Sequence, residues 1–418
     1  MSARIRSLYF VPMVMALAMP LHAASWVVSP SKGQFADIAS ALSASRPGDT
    51  VIVRTGNYTL RAPLRLDKAN VRLTGVAGER VLITADNKLA AAVIIVADGV
   101  ALSDLMIQGG FYGIKIDVDG AASTRNVSIS NCQIGSTGAD CIKSFNADAL
   151  RIEACRIGPS GLKQKDNAEG IDAIGSLGIT IRNCLIEDIS TNGIYLKGGT
   201  RDGVIEKCLI RRCGSGGILL GQDTDEEFMR EGRKNEAIHC VARNNIIIDT
   251  SSAGMGTYSG KDVQFVNNTL LDVARDSQAG FWVVTNGREV PAENVLFQNN
   301  ILVVAGDRPA MFIKDAVGLP KSQSNVFLSR RGPVRFVREM SADGSQNHQW
   351  TLAQWQQATG QDTQSIEDDP RLDARQYHPV PGSPAIGTGE VIQGIQDDYF
   401  GHRRPSPGWD IGAVAAGK

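Results

Sequence analysis

Arg182-Asn183-Cys184 is followed 24 residues later by Glu206-Lys207-Cys208, and between them runs Asn192-Gly193-Ile194-Tyr195-Leu196-Lys197. The same two features recur on either side. Upstream stand Ser130-Asn131-Cys132 and Glu153-Ala154-Cys155; downstream stand Arg243-Asn244-Asn245, Val266-Asn267-Asn268 and Gln298-Asn299-Asn300. From Cys132 the steps are 23, 29, 24, 37, 23 and 32 residues, so a short unit returns and the longer steps need only loop insertions. Gly-apolar strand starts accompany the units at Gly113-Ile114, Gly170-Ile171, Gly217-Ile218, Gly254-Met255 and Gly280-Phe281. Strand, turn, strand and a bend at Cys or Asn make one coil of a solenoid, which buries its inward residues against the coils above and below. Asn at stacked bends is apt, because its amide can bond the Asn of the next coil. The expected fold is all-β, a right-handed parallel β-helix, with the pattern clearest over residues 50 to 330.

Outward from that core, Phe35, Ile38 and Leu42 fall on one face of a helix over 35–45, suited to cover the first coil. After Phe327 the rhythm fades, with a short helix expected over 351–358. The organisation read from the chain is a signal peptide over 1–25, the β-helix with its N-terminal cap over 26–330, and an irregular C-terminal cap packed on the solenoid over 331–418. Arg4 and Arg6, the apolar run Leu8 to Leu21 and the small residues Ala23, Ala24 and Ser25 carry the leader reading. It predicts an exported protein, periplasmic or extracellular, with cleavage after Ala23 or Ser25. No later run is long enough to insert in a membrane. Removing the leader lowers the formal net charge from −1 to −3, which gives no pull towards nucleic acid. A monomer is expected.

Seven cysteines in an exported chain invite disulfides. Cys132, Cys155, Cys184 and Cys208 fall in register, however, and coils about 4.8 Å apart hold their Cβ atoms a little too far apart to bond. They read as buried thiols. Cys213 and Cys240, flanking the long insertion within the 37-residue step, remain an open pairing.

Strand alternation places Tyr195 and Lys197 outward when Ile194 and Leu196 point in. Asp172 is then outward on the coil below, with Lys115, Asp117, Tyr258, Trp282 and Phe312 on the same face. Tyr258, Trp282 and Phe312 suit the apolar faces of sugars. Asp166-Asn167-Ala168-Glu169-Gly170-Ile171-Asp172 gathers Asp166, Glu169 and Asp172, a donor set for a hard cation such as calcium or else a solvated turn. Lys197 is the candidate base, since a cation beside it would favour its neutral form; the alternative is an ordinary surface lysine. The insertion over 222–238 leaves the coil next to Lys197, either serving the binding face or forming a charged flap.

Taken together, Glu169-Gly170-Ile171-Asp172, Asn183-Cys184 and Asn192-Gly193-Ile194-Tyr195-Leu196-Lys197-Gly198-Gly199 resemble core coils of the pectate-lyase-like superfamily, closest in motif to polysaccharide lyase family nine. The resemblance implies β-elimination of an acidic polysaccharide, with acidic residues holding calcium and a lysine as base. In those lyases the lysine follows Asn-Gly and one apolar residue; here Tyr195 takes that place and Lys197 lies two residues on, on the same face. Ala139-Asp140-Cys141-Ile142-Lys143 and Gly170-Ile171-Asp172 resemble fragments of the polygalacturonase pattern, but its paired Asp and its His are missing and Asp140 comes in the wrong order. The function expected is a secreted polysaccharide lyase, with Lys197 as base and Tyr195 as proton donor. A non-catalytic carbohydrate-binding or export-associated β-helix, a C5-epimerase and a glycoside hydrolase are the alternatives.

Overall fold

The structure, a computed structural model, describes residues 23–117, 123–314, 316, 318–340, 347–405 and 408–416. Of the expected leader, residues 1–22 lie outside the described residues, while Ser25–Val28 already forms the first strand of the solenoid.

Each coil contributes one strand to each of three twelve-stranded sheets, which run from Ser25–Val28 to Lys321–Gln323, from Leu64–Leu66 to His348–Trp350, and from Gly56–Thr59 to Ile366–Glu367. Pairing is parallel throughout, except that His348–Trp350 adds antiparallel to Phe336–Glu339. The result is a right-handed parallel β-helix of about twelve turns. Its interior follows from the register. Leu73, Leu102, Ile129, Ile152, Ile181 and Ile205 stack in the first sheet, and Val93, Ile114, Ile142, Ile171, Ile194 and Ile218 stack in the second. All of these are fully buried. β-Branched side chains suit such columns because they pack well on a pleated surface, and each buried Ile contributes about 1.5–3 kcal/mol.

Every bend uses two residues. Asn131, Ala154, Asn183, Lys207, Asn244, Asn267 and Asn299 have φ between 52° and 57°, the left-handed region that Asn tolerates best among residues bearing a Cβ. The following residue points inward, first as the cysteine column and then as an amide ladder. Asn300 Oδ1 accepts from Asn268 N and Nδ2, Asn268 Oδ1 from Asn245 N and Nδ2, and Asn245 Oδ1 from Cys208 N, at 2.9–3.1 Å. Asn325 extends the ladder one coil further. All seven cysteines are buried and free, so Cys213 and Cys240 do not pair. Cys213 ends a strand of the third sheet, whereas Cys240 precedes one of the first.

The ends differ in detail from the sequence reading. The first helix is shorter than 35–45, spanning Ile38–Ala44, because Asp37 caps it by accepting from Ser40 N. Phe35 lies outside it, edge-on to Trp26. Coil pairing continues past residue 330 through Phe336–Glu339 and Ile366–Glu367. At that end the core turns aromatic, and Trp355 of the helix Leu352–Thr359 stacks on Phe336 at 5.2 Å with no exposure. The last stretch does not sit over the end of the solenoid. It runs back along the outside of the third sheet, placing Ala385 and Ile411 on Ile301, Val303 and Val326, and Ala413 and Val414 on Ile246. Buried Arg404 fastens it, donating to Asn244 Oδ1 and to the carbonyls of Asp410, Gly412 and Ala413. No helix among the described residues is long and apolar enough to cross a membrane.

Candidate active site on the second sheet

The outer face of the second sheet carries two columns of side chains. Lys115, Lys143, Asp172, Tyr195, Leu219, Gly256, Trp282 and Phe312 are register partners in the first. Phe145, Ile174 and Lys197 adjoin in the second, which Tyr258 continues two coils on.

A buried acidic cluster lies where the turns before these strands stack. Asp140, Glu169 and Asn192 hold the same place in successive coils, and Asp140 Oδ1 accepts from Glu169 N at 2.9 Å. Carboxylate oxygens of Asp140, Glu169 and Asp172 all lie within 4.8 Å of one another, with exposures of 1%, 2% and 0%. Lys143 Nζ bridges Asp172 at 2.7 Å and Asp140 at 3.1 Å. Burial pushes the Asp140 carboxyl well above the ordinary value, and the negative charges of Asp172 and Glu169 add to this against Lys143. Burial opposes the Lys143 ammonium, yet the Asp172 and Asp140 carboxylates outweigh it and hold that group more firmly protonated than usual.

Asp166 does not join the cluster. It is exposed at the rim of the neighbouring cavity, because the loop before Glu169 has not yet entered the stacked turn. Asp140, from the coil below, stands in the place expected of it. The donor set is all oxygen, and Asp172 Oδ1 and Glu169 Oε2 are buried without a hydrogen-bond partner. Those features fit a hard cation such as calcium.

Tyr195 and Lys197 both face a cavity of about 510 Å³, with Glu169, Asn192 and Gln222 also in its wall. Lys197 Nζ lies 4.9 Å over the Tyr195 ring and 3.5 Å from Asp172 Oδ2. Tyr195 is only 5% exposed. Its hydroxyl accepts from Asn192 Nδ2 at 2.6 Å and Gln222 Nε2 at 3.0 Å. Asn192 Oδ1 accepts from Gly216 N, which fixes the amide orientation. With both acceptor positions taken by donors, the phenolic proton points elsewhere. Burial, reinforced by the Glu169 charge, raises the Tyr195 pKa well above the ordinary value, so the group holds its proton.

Tyr258, Trp282 and Phe312 lie further along the same face and are half-buried. Trp282 and Phe312 stack at 4.2 Å with 10° between their planes, and Tyr258 accepts from Gln278 Nε2. The insertion, with helical turns at Glu226–Phe228 and Arg230–Gly232, is docked. Buried Glu236 accepts from Gly198 N, Thr224 N and Oγ1, Asn286 Nδ2 and Arg288 Nη2, while Arg230 grips Asp148 and Gly175 O. Asp140, Asn192 and Gln222 were not read from the sequence as part of the site. The first two had a signal: Asp140-Cys141-Ile142, Glu169-Gly170-Ile171 and Asn192-Gly193-Ile194 begin successive coils alike.

A family described as right handed beta helix region matches residues 112–302. Among solved structures, the pectate lyase Pel9A superposes with a TM-score of 0.60 at 13% identity, covering 94% of this chain and 96% of that one. This chain has the pectate-lyase-like β-helix fold. The A-module of the mannuronan C-5 epimerase AlgE4 of Azotobacter vinelandii matches this β-helix with a TM-score of 0.50 at 17% identity, over 73% of this chain and 93% of that module. The Dettilon tailspike protein matches with 0.50 at 13% identity, over 69% of this chain and 61% of that one. No curated protein matches the sequence.

Proposed function

We propose that this β-helix is an exported enzyme that cleaves a uronate-containing polysaccharide by β-elimination. The observation that carries the reading is the pairing of a protonated Tyr195 with Lys197 at one cavity, beside three buried carboxylates. Elimination needs a base to take the proton beside the uronate carboxyl and an acid to protonate the departing oxygen. Lys197 reaches into the cavity and takes the first role, while the phenolic proton of Tyr195 serves the second. Asn192 and Gln222 hold the phenol in place, and Asp172 orients Lys197. A calcium ion held by Asp172, Glu169 and Asp140 would neutralise charge developing on the substrate's carboxylate. Two proteins sharing the fold, a pectate lyase and a mannuronan C-5 epimerase, act by name on such polymers. Hydrolysis is less well supported, because the three carboxylates are buried and Lys143 bridges two of them, which leaves among them no exposed acid–base pair to straddle a glycosidic bond.

The test is a panel of pectate, alginate and glycosaminoglycans, with and without calcium, followed by the ultraviolet absorbance of unsaturated uronate ends. Wild type should yield product on one of them. Lys197→Ala should abolish it with an unchanged melting temperature, and Lys197→Arg should not restore it, because guanidinium does not become neutral. Full activity in Lys197→Ala would place the base elsewhere, with Lys143 and Lys115 next to examine. Epimerised but unshortened polymer would indicate an epimerase, and retention without any product a binding protein.

A further inference from the structure

The insertion also carries the exposed aromatic ring of Phe228, which none of the roles above uses. Phe228 is 45% exposed on a segment whose neighbours are acidic, Asp225, Glu226 and Glu227. It is not on a loose loop, since the Glu236 and Arg230 contacts hold the segment on either side of it. Its ring lies 5.7 Å from that of Phe145, and the two line a cavity of about 320 Å³. Lys115 Nζ and Lys143 Nζ stand 5.9 Å and 5.7 Å from the Phe145 ring centre. Phe145 occupies the same outward column as Lys197, two coils before it, whereas Tyr258, Trp282 and Phe312 begin two coils after it.

We propose that Phe145 and Phe228, with Lys115, form a second sugar-binding surface on the opposite side of Lys197 from Trp282 and Phe312. Aromatic faces take the apolar face of a sugar ring, and Lys115, with its side chain 29% exposed and paired with Asp117 at 2.6 Å, is the cation that would exchange this partner for a uronate carboxylate. With such a surface on both sides, the polymer lies across the reaction centre and is cut at internal linkages. This rests on the lyase reading, which it extends to where along the chain the cut falls.

The test compares wild type, Phe228→Ala and Phe312→Ala by retention in gels containing pectate or alginate and by the lengths of products released early. Phe228 is exposed, so its substitution should leave the melting temperature unchanged. Wild type should release long fragments first. Each variant should be retained about three- to tenfold less, by the usual worth of one aromatic contact, with KM raised and kcat kept. Equal retention of wild type and Phe228→Ala, or early release of single sugars and dimers by wild type, would overturn the proposal. Weaker retention of Phe228→Ala in a wild type that forms no product would keep the surface while removing the lyase reading. Cleavage by a wild type that Phe228→Ala matches in retention and product length would do the reverse.

Discussion

Tyr195 stands where the family resemblance places a lysine, and its surroundings explain how a phenol serves there. Two amide donors saturate its oxygen, and burial keeps its proton on. Tyr195→Phe should therefore lower turnover by about 10²–10⁴-fold, the usual worth of a positioned acid. It should also cost about 1–3 kcal/mol of stability by orphaning a buried donor, a loss read by denaturant titration and not shared by Lys197→Ala. Asp140 gives a pH signature. Its folded pKa is raised, so the native state binds more protons than the unfolded chain above the ordinary carboxyl value of 3.8. That contribution to stability is present below this value and falls as pH rises through the higher folded one. Asp140→Asn removes the dependence, so in chelator the variant should gain on wild type in melting temperature between pH 4 and pH 7.5; parallel curves would refute the assignment. Tyr195, Lys197 and Asp172 were legible because strand alternation fixes facing, and Glu169 because it stands in the acidic run 166–172. Asp140 was not, because its partners are 29 and 32 residues away and meet only through coil stacking.

Elements in this protein are defined more by their bends than by their strands. A left-handed residue followed by an inward Cys or Asn recurs often enough to reveal the fold in the sequence, and the amide ladder predicted at those bends is present from Asn245 onward. The ladder should be unforgiving. Asn268 serves Asn245 through its oxygen and Ala242 O through its amide, so Asn268→Leu strands several buried polar groups at about 1–3 kcal/mol each. A loss of 3 kcal/mol or more is expected in denaturant titration, whereas Asn267, which carries the left-handed bend, should tolerate Gly there. The last coil and the returning tail were not legible. Phe336–Glu339 lacks a Cys or Asn bend of its own, and the tail's contacts reach strands as far as 144 and 160 residues earlier.

At the scale of the whole molecule, the described residues are fastened to the solenoid at both ends, and this bears on maturation. Buried Asp49 accepts from Ala24 N, Trp26 Nε1 and Arg46 N, and Thr50 N bonds Ala24 O. Cleavage after Ala23 would put a new ammonium 2.8 Å from that carboxylate, whereas cleavage after Ser25 would remove both contacts. If the leader is removed as proposed, sequencing of the mature protein should therefore begin at Ala24; a start at Trp26 would contradict this. Calcium should raise the melting temperature modestly by binding only the native state. The increment should be lost in Asp172→Asn but kept in Asp166→Asn, because Asp166 stands apart from the cluster.

The cysteine column carries a consequence for how the chain is made. Folded, its seven thiols are sealed from solvent; on the proposed export route the unfolded chain would bring them into an oxidising space all at once. No disulfide of the described structure rewards that encounter, so any bond formed there is a wrong one, and winding the coils becomes a race against oxidation. Refolding yield should accordingly be higher with a reductant than with a glutathione redox buffer. On that proposed route the cell gains nothing from thiol oxidases and has reason to keep them away until the solenoid has closed.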